Sequence, residues 1–225
     1  MKTKLEVCID SFEGLEACID GGADRIELCS SLQYGGLTPS MNLIEHASKC
    51  GIPARAMIRP KKGTFVYNSE DLKQMLSDID KVRSCNIEGV VFGATLTNGE
   101  LDIDLLEQLV AHSIGLKKTL HRAVDTINKT IKSVEIGIKL GFDTILSSGG
   151  YETAIEGLSV LSEMNSKAFG RIHIMPGAGI TPLNANQFIN KYNFEWIHSS
   201  CSIKKNNLSL TDAQTIKTLK NAITE

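Results

Sequence analysis

The chain has 225 residues, 42% hydrophobic and 22% charged, with a formal net charge of -2. That length suits one large domain or two small ones, and the apolar share is enough for a sizeable core. No basic excess offers a surface for nucleic acid, no apolar run approaches the roughly 18 residues of a membrane helix, and the opening MKTKLEVCID lacks an apolar leader core, so a cytoplasmic protein is expected.

Short β-rich runs alternate with amphipathic stretches along the chain. The runs are LEVCID (5–10), RIELC (25–29), ARAMIRP (54–60), GVVFGA (89–94), KKTLHRA (117–123), TILSSGG (144–150), RIHIMPG (171–177) and WIHSS (196–200). Helical patterns such as SEDLKQMLSDIDKVRSC and IDLLEQLVAHSIG lie between them, and TDAQTIKTLKNAIT follows the eighth. Glycine closes several helices before the next run, as in DGGAD, KCGIP and KLGFD. Steady alternation gives parallel βαβ units, and eight of them predict a single-domain (β/α)8 TIM barrel over residues 1–225. A doubly wound open sheet is the lesser alternative, since no GxGxxG follows the first run. The six cysteines (Cys8, Cys18, Cys29, Cys50, Cys85 and Cys201) are widely spaced with no CxxC, which excludes a zinc ribbon and suits free thiols in a reducing compartment.

Alternate residues of a barrel strand face inward. Glu6 and Cys8 share one parity in the first run, and Glu27 and Cys29 share one in the second, opposite an apolar set of Leu5, Val7, Ile9, Ile26 and Leu28. The same rule turns inward Arg55, Met57 and Arg59 from the third run, Thr119 and His121 from the fifth, His173 and Met175 from the seventh, and His198 and Ser200 from the eighth. Asp125 lies close behind His121. Charges inside a barrel are costly unless paired, so a set this large reads as a site at the C-terminal mouth.

Two glycine-rich turns add candidate anion cradles. SSGG supplies Ser148, Gly149 and Gly150 after the sixth run, and MPGAGI supplies Gly177, Ala178 and Gly179 after the seventh. Glycine that merely turns the chain explains them equally well. The basic loop IRPKKGTFVY reads first as a solvated loop, and otherwise as a lid bringing Lys61 and Lys62 to an anion.

LEVCIDSFEG, GGADRIELCSSLQYGGLTPS, MIRPKKGTFVY, GVVFGA, HRAVD, ILSSGG, IEGLSVL, GRIHIMPGAGI and IHSS together resemble the CutC family, from residue 4 to about 201. The resemblance implies a TIM barrel, a cytosolic setting, a homo-oligomer (a dimer or larger) and a role in copper homeostasis. Cys8 and Cys29 match the family's two strand cysteines and are the implied Cu(I) ligands, thiolate being a preferred donor for that ion. The family's polar barrel residues fall on Glu6, Glu27, Arg59, His121, Arg122, Asp125 and His198. The chain departs from the family pattern at Thr64, Val124 and Ala178.

Two functions stay open. One is Cu(I) binding through Cys8 and Cys29. The other is an enzyme, a lyase or isomerase, on a small anionic or phosphorylated metabolite. There Glu27 or Glu6 is the base, His121 the acid or electrophile and Arg59 the charge clamp, with Asp125 and His198 completing the site. Lys117 and Lys118 begin the fifth run, at the wrong end for Schiff-base chemistry.

Overall fold

The computed structural model describes residues 2–189, 192–205 and 208–224. Eight strands form its centre: β1 (Lys4–Ile9), β2 (Arg25–Leu28), β3 (Ala54–Met57), β4 (Gly89–Phe92), β5 (Lys117–Leu120), β6 (Thr144–Ser147), β7 (His173–Pro176) and β8 (Trp196–Ser199). All their pairings are parallel, and the sheet order β7-β6-β5-β4-β3-β2-β1-β8 brings β8 back beside β1. Around them run α1 (Phe12–Gly21), α2 (Met41–Ala47), α3 (Ser69–Ser84), α4 (Ile103–His112), α5 (Lys132–Leu140), α6 (Leu158–Ala168), α7 (Asn186–Ile189) and α8 (Ala213–Ala222). This is the predicted (β/α)8 barrel. Each strand stops earlier than its predicted run, because the last residues of the run already bend into the loops of the mouth. A hairpin of β9 (Ser202–Lys205) and β10 (Leu208–Thr211) separates β8 from α8. The sequence reading has no counterpart for it. No helix among the described residues is long and apolar enough to cross a membrane.

Local chemistry starts the helices where the fold needs them. The side chains of Ser11, Ser40, Asn68, Asp102 and Asp212 each accept a backbone N–H of the first turn, satisfying donors that the helix leaves free. The outward parity of the strands meets the helices through fully buried Leu5, Val7, Ile9, Ile26, Leu28, Phe92, Leu120, Ile145 and Ile197.

The inward parity is unusually polar. Arg55 donates from Nε to Glu88 at 2.8 Å and from Nη1 to Thr119 at 2.7 Å and Thr144 at 3.3 Å, a hydrogen-bonded floor. Next to it, and sharing Glu88 with it, Arg25 Nε meets Glu6 Oε2 at 2.5 Å, with both side chains almost wholly buried. β7 and β8 share no ladder among the described residues, and side chains close that seam instead. Leu146, Met175 and Trp196 pack together there, and the Arg25 guanidinium lies 3.8 Å from the Trp196 ring centre. Gly177 belongs to the same closure. A Cβ there would lie 2.5 Å from Leu146 Cδ1 and 3.2 Å from the His198 Cβ, so a larger residue would have to displace Leu146 and crowd β8.

Removing one member of a buried ion pair strands the other charge, which typically costs about 3–5 kcal/mol. Arg25→Ala is therefore expected to lower the unfolding free energy by about that amount in urea titrations. A Glu6→Leu/Arg25→Leu double variant is expected to recover most of the loss. Equal loss in both would show that the charge pair is not the cause.

Candidate functional site

Glu6 organises the mouth. Its Oε2 takes Arg25, and its Oε1 lies 2.8 Å from His198 Nδ1. Burial opposes ionisation of Glu6, but Arg25 and then His198 overcome it and hold the carboxyl well below the usual range. Glu6 is thus a fixed anion, and of the two predicted bases it is the one without a free proton site. Its grip on Nδ1 aims His198 Nε2 away, 3.8 Å from Glu27 Oε2. Burial works against charge on His198, yet Cys8, Glu27 and Glu6 around it push its pKa well above the ordinary value.

Glu27 is in the opposite condition. Burial pushes its carboxyl up to about 7; His198 pulls the other way and Glu6 adds to the rise. Its Oε2 accepts the Cys29 thiol at 3.5 Å, while its buried Oε1 has no partner among the described residues. The two strand cysteines also separate. Cys8 lines the open cavity, and its sulfur, a Glu27 oxygen and a His198 nitrogen lie within 4.8 Å of one another. Cys29 is not part of that group. It packs against Met57 and Val91, with its thiol pushed far up by burial and then by Glu27.

His121 faces the same cavity from the end of β5. Its Nδ1 accepts the Ala123 N–H at 3.2 Å, so the ring proton lies on Nε2, which is buried and unpartnered. Burial, then the nearby Arg59, lowers its pKa to about 3, so the ring is neutral. Phe65 covers it, with ring centres 4.8 Å apart.

Arg59 does not reach into the cavity as a charge clamp. Its Nη1 donates to the carbonyls of Tyr34 at 2.8 Å and Gly36 at 3.1 Å, and its Nη2 to Gly63 at 2.8 Å. It ties the loop after β2 to the loop after β3 and leans on Phe65. Within that second loop Lys61 pairs with Asp71, and Lys62 lies over the Tyr34 ring. Neither lysine lines the cavity.

The two glycine turns differ. The cradle at Ser148, Gly149 and Gly150 is already filled from within. Asp125 accepts the N–H groups of Ser148 at 2.9 Å and Gly150 at 3.0 Å, and Gly149 N–H goes to Ser147 Oγ at 2.8 Å. Asp125 also receives Arg122 Nε at 2.9 Å, so it fixes Arg122 at the cavity wall and is itself a positioning group. In the other turn the Gly177 N–H is taken by Ser147 O at 3.0 Å, whereas Ala178, Gly179 and Ile180 donate to no described residue. Those three, with Ser200 and Ser202, line the cavity of about 490 Å³ that Glu27, His121 and Cys8 face. Sequence reading missed Arg25, although its parity matches Glu27, and left Arg122 without a stated role.

The family model of CutC matches residues 3–203. A Sinorhizobium medicae family protein CutC is 47% identical over 198 residues, covering 88% of this chain and 81% of that one. The Rhizobium meliloti relative is 46% identical over 201 residues, covering 89% and 82%. The solved CutC structure from Streptococcus agalactiae superposes with a TM-score of 0.83 at 32% identity, covering 89% of this chain and 99% of that one.

The raised Glu27 carboxyl has a thermodynamic signature. Between pH 4.5 and about 7 the folded state keeps a proton that the unfolded chain has lost, so this group's contribution to stability falls as pH rises through that window. Relative to the wild type, Glu27→Gln is expected to be unchanged near pH 4 and more stable by about 3 kcal/mol near pH 8, from urea midpoints. An equal gain at both pH values would contradict it.

Proposed function

The chain belongs to the CutC family, and from that premise we propose that its barrel mouth binds a small anionic metabolite and moves a proton on it, as a lyase or isomerase does. One observation carries the reading: Glu27 and His121 line one cavity, and Glu27 Oε1 and His121 Nε2 are both buried with no partner among the described residues. A buried polar atom without a partner costs about 1–3 kcal/mol. Two such atoms, carried by residues that line one cavity, suit groups whose partner is a ligand.

The chemistry follows from their states. A carboxyl with a pKa near 7 is a base matched to neutral pH, and here it takes the proton from carbon next to a carbonyl. The neutral His121 imidazole keeps its Nε2 proton and donates it in a hydrogen bond to the carbonyl oxygen, where negative charge gathers. The imidazolium of His198, held by Glu6, faces Glu27 and steadies its ionised form. No lysine lines the cavity among the described residues, so amine catalysis is outside the proposal. The setting proposed is the reducing cytoplasm, where all six free cysteines stay thiols.

The test is carbon-bound hydrogen exchange with deuterated water, followed by NMR on a panel of short keto acids, ketoses and their phosphates. At least one compound is expected to exchange, with Glu27→Gln slowing it by roughly 10²–10⁴-fold. No exchange above the protein-free rate, or full activity in Glu27→Gln, would sink the reading.

The second reading is copper binding, since the Streptococcus agalactiae relative is described as a candidate copper homeostasis protein. The observation favouring it is the Cys8, Glu27 and His198 group. Thiolate and imidazole suit Cu(I), and a carboxylate on the far ring nitrogen, as Glu6 is here, is the common support of a metal-binding histidine. Cys8 and His198 would be the first ligands, with Cys29 joining only after its side chain turns. In an anaerobic Cu(I) titration against a competing chelator, Cys8→Ser is expected to lose at least about 100-fold in affinity and Cys29→Ser less than about 10-fold. Unchanged affinity in Cys8→Ser would end this reading.

A further inference from the structure

One end of the cavity is built from backbone. After β7 the chain passes through Ala178 at φ 87° and Gly179 at φ 75°, two successive residues in the left-handed region, which is costly for alanine. The carbonyls of this turn are tied back to the scaffold. Ala178 O accepts the Ala154 N–H at 3.0 Å, and Gly179 O accepts Asn184 Nδ2 at 2.8 Å. The N–H groups of Ala178, Gly179 and Ile180 are left over, with no acceptor among the described residues. The Ser200 hydroxyl lines the same cavity, 3.0 Å from Ser202 Oγ. Arg122 also lines the cavity, and its Nη1 has no partner among the described residues. Glu27 is the only carboxylate among the lining residues described.

Free backbone N–H groups on a concave turn, a hydroxyl and a guanidinium form the donor set for an anion with several terminal oxygens. A carboxylate would leave part of that set unused, whereas a phosphate would not. Two residues lining the same cavity each hold a buried side-chain atom with no partner among the described residues, Glu27 Oε1 and His121 Nε2. About 490 Å³ has room for a phosphate and a short carbon chain together.

We propose that residues 178–180, with Ser200 and Arg122, form a phosphate subsite, so that the molecule this cavity takes is a phosphate monoester whose carbonyl end meets Glu27 and His121. This rests on reading the cavity as a small-molecule site and names the class of molecule. The cradle anchors the end that does not react and thereby fixes the reacting end against the base.

The probe is inorganic phosphate, titrated by calorimetry into wild type, Gly179→Asp and Gly179→Asn. A Cβ at Gly179 meets only the Thr153 side chain, at 3.7 Å, and Asp and Asn are among the residues that best tolerate a left-handed backbone. The two variants match in shape and differ in charge. Wild type is expected to bind saturably, Gly179→Asp to bind at least about 10-fold more weakly, and Gly179→Asn within about 3-fold of wild type. Arg122→Gln supplies an independent variant, expected to lose about 10-fold if either glycine variant fails to melt cooperatively. No saturable binding by wild type, or equal binding by the Asp and Asn variants, overturns the subsite. If phosphate binds as expected while Glu27→Gln leaves deuterium exchange intact, the proton-transfer reading falls and the subsite stands. If unphosphorylated ketones exchange and phosphate neither binds nor competes, the subsite falls and the proton-transfer reading stands.

Discussion

A single carboxylate, Glu6, placed inside a closed barrel sets the terms for the rest. A buried charge must be compensated on the spot, and Glu6 does so with two partners from distant parts of the chain, Arg25 and His198. Arg25 in turn lies against Trp196 and closes the seam where β7 and β8 share no ladder. His198 has its second nitrogen directed to the mouth because its first is held. Since one carboxylate close by is already ionised, a second cannot ionise as easily, which is part of why Glu27 stands near neutrality. Stability at the seam and reactivity at the mouth therefore depend on the same contact.

A similar division separates groups that look alike by composition. SSGG and PGAG both offer glycine-rich backbone at the top of neighbouring strands. The first is consumed by Asp125 and Ser147, and Asp125 thereby holds Arg122 at the wall; the second keeps the N–H groups of Ala178 and Gly179 unused among the described residues. Arg59 and Arg122 differ in the same way. Both of Arg59's terminal nitrogens are spent on three carbonyls that pin two loops together, which leaves only its buried Nε without a partner, while Arg122 has its Nε and Nη2 bonded and its Nη1 unpartnered at the cavity wall, among the described residues. What distinguishes a structural polar group from an available one is whether the fold supplies its partner.

This explains how far the sequence could be read. Period-two parity placed Glu6, Cys8, Glu27, Cys29, Arg55 and His198 inward, because a barrel strand buries one parity and gives it no other direction. Eight strand runs could be counted for the same reason. The pairings could not be read. The Glu6–His198 contact joins residues 192 apart, and nothing local to either specifies it. The choice of Glu27 over Glu6 as the titratable carboxyl follows from Arg25, whose parity was visible but whose partner was not. Cys8 and Cys29 occupy matching places in their strands yet face different surroundings, since Met57, Val91 and Leu32 close around only one of them. The β9–β10 hairpin is short, and its apolar residues Ile203, Leu208 and Leu210 stay exposed, so it gives only a four-residue alternation outside the core.

The two functional readings compete for the same proton inventory. Cu(I) requires a Cys8 thiolate and a His198 ring with Nε2 bare, and both must shed protons for the ion to enter. Proton transfer by Glu27 requires the reverse at His198, an imidazolium that keeps the carboxylate charged beside it. Glu6 supports either state, as an anchor for a neutral ligand histidine or as a counterion for a cationic one. The Cys8 sulfur and a His198 nitrogen also lie within 4.8 Å of a Glu27 oxygen, so both readings draw on the same carboxylate. The two readings are therefore mutually exclusive in their demands on His198. His121 and the turn at 178–180 line the cavity but stand outside the Cys8, Glu27 and His198 group, and they have work only in the reading where a small molecule fills it.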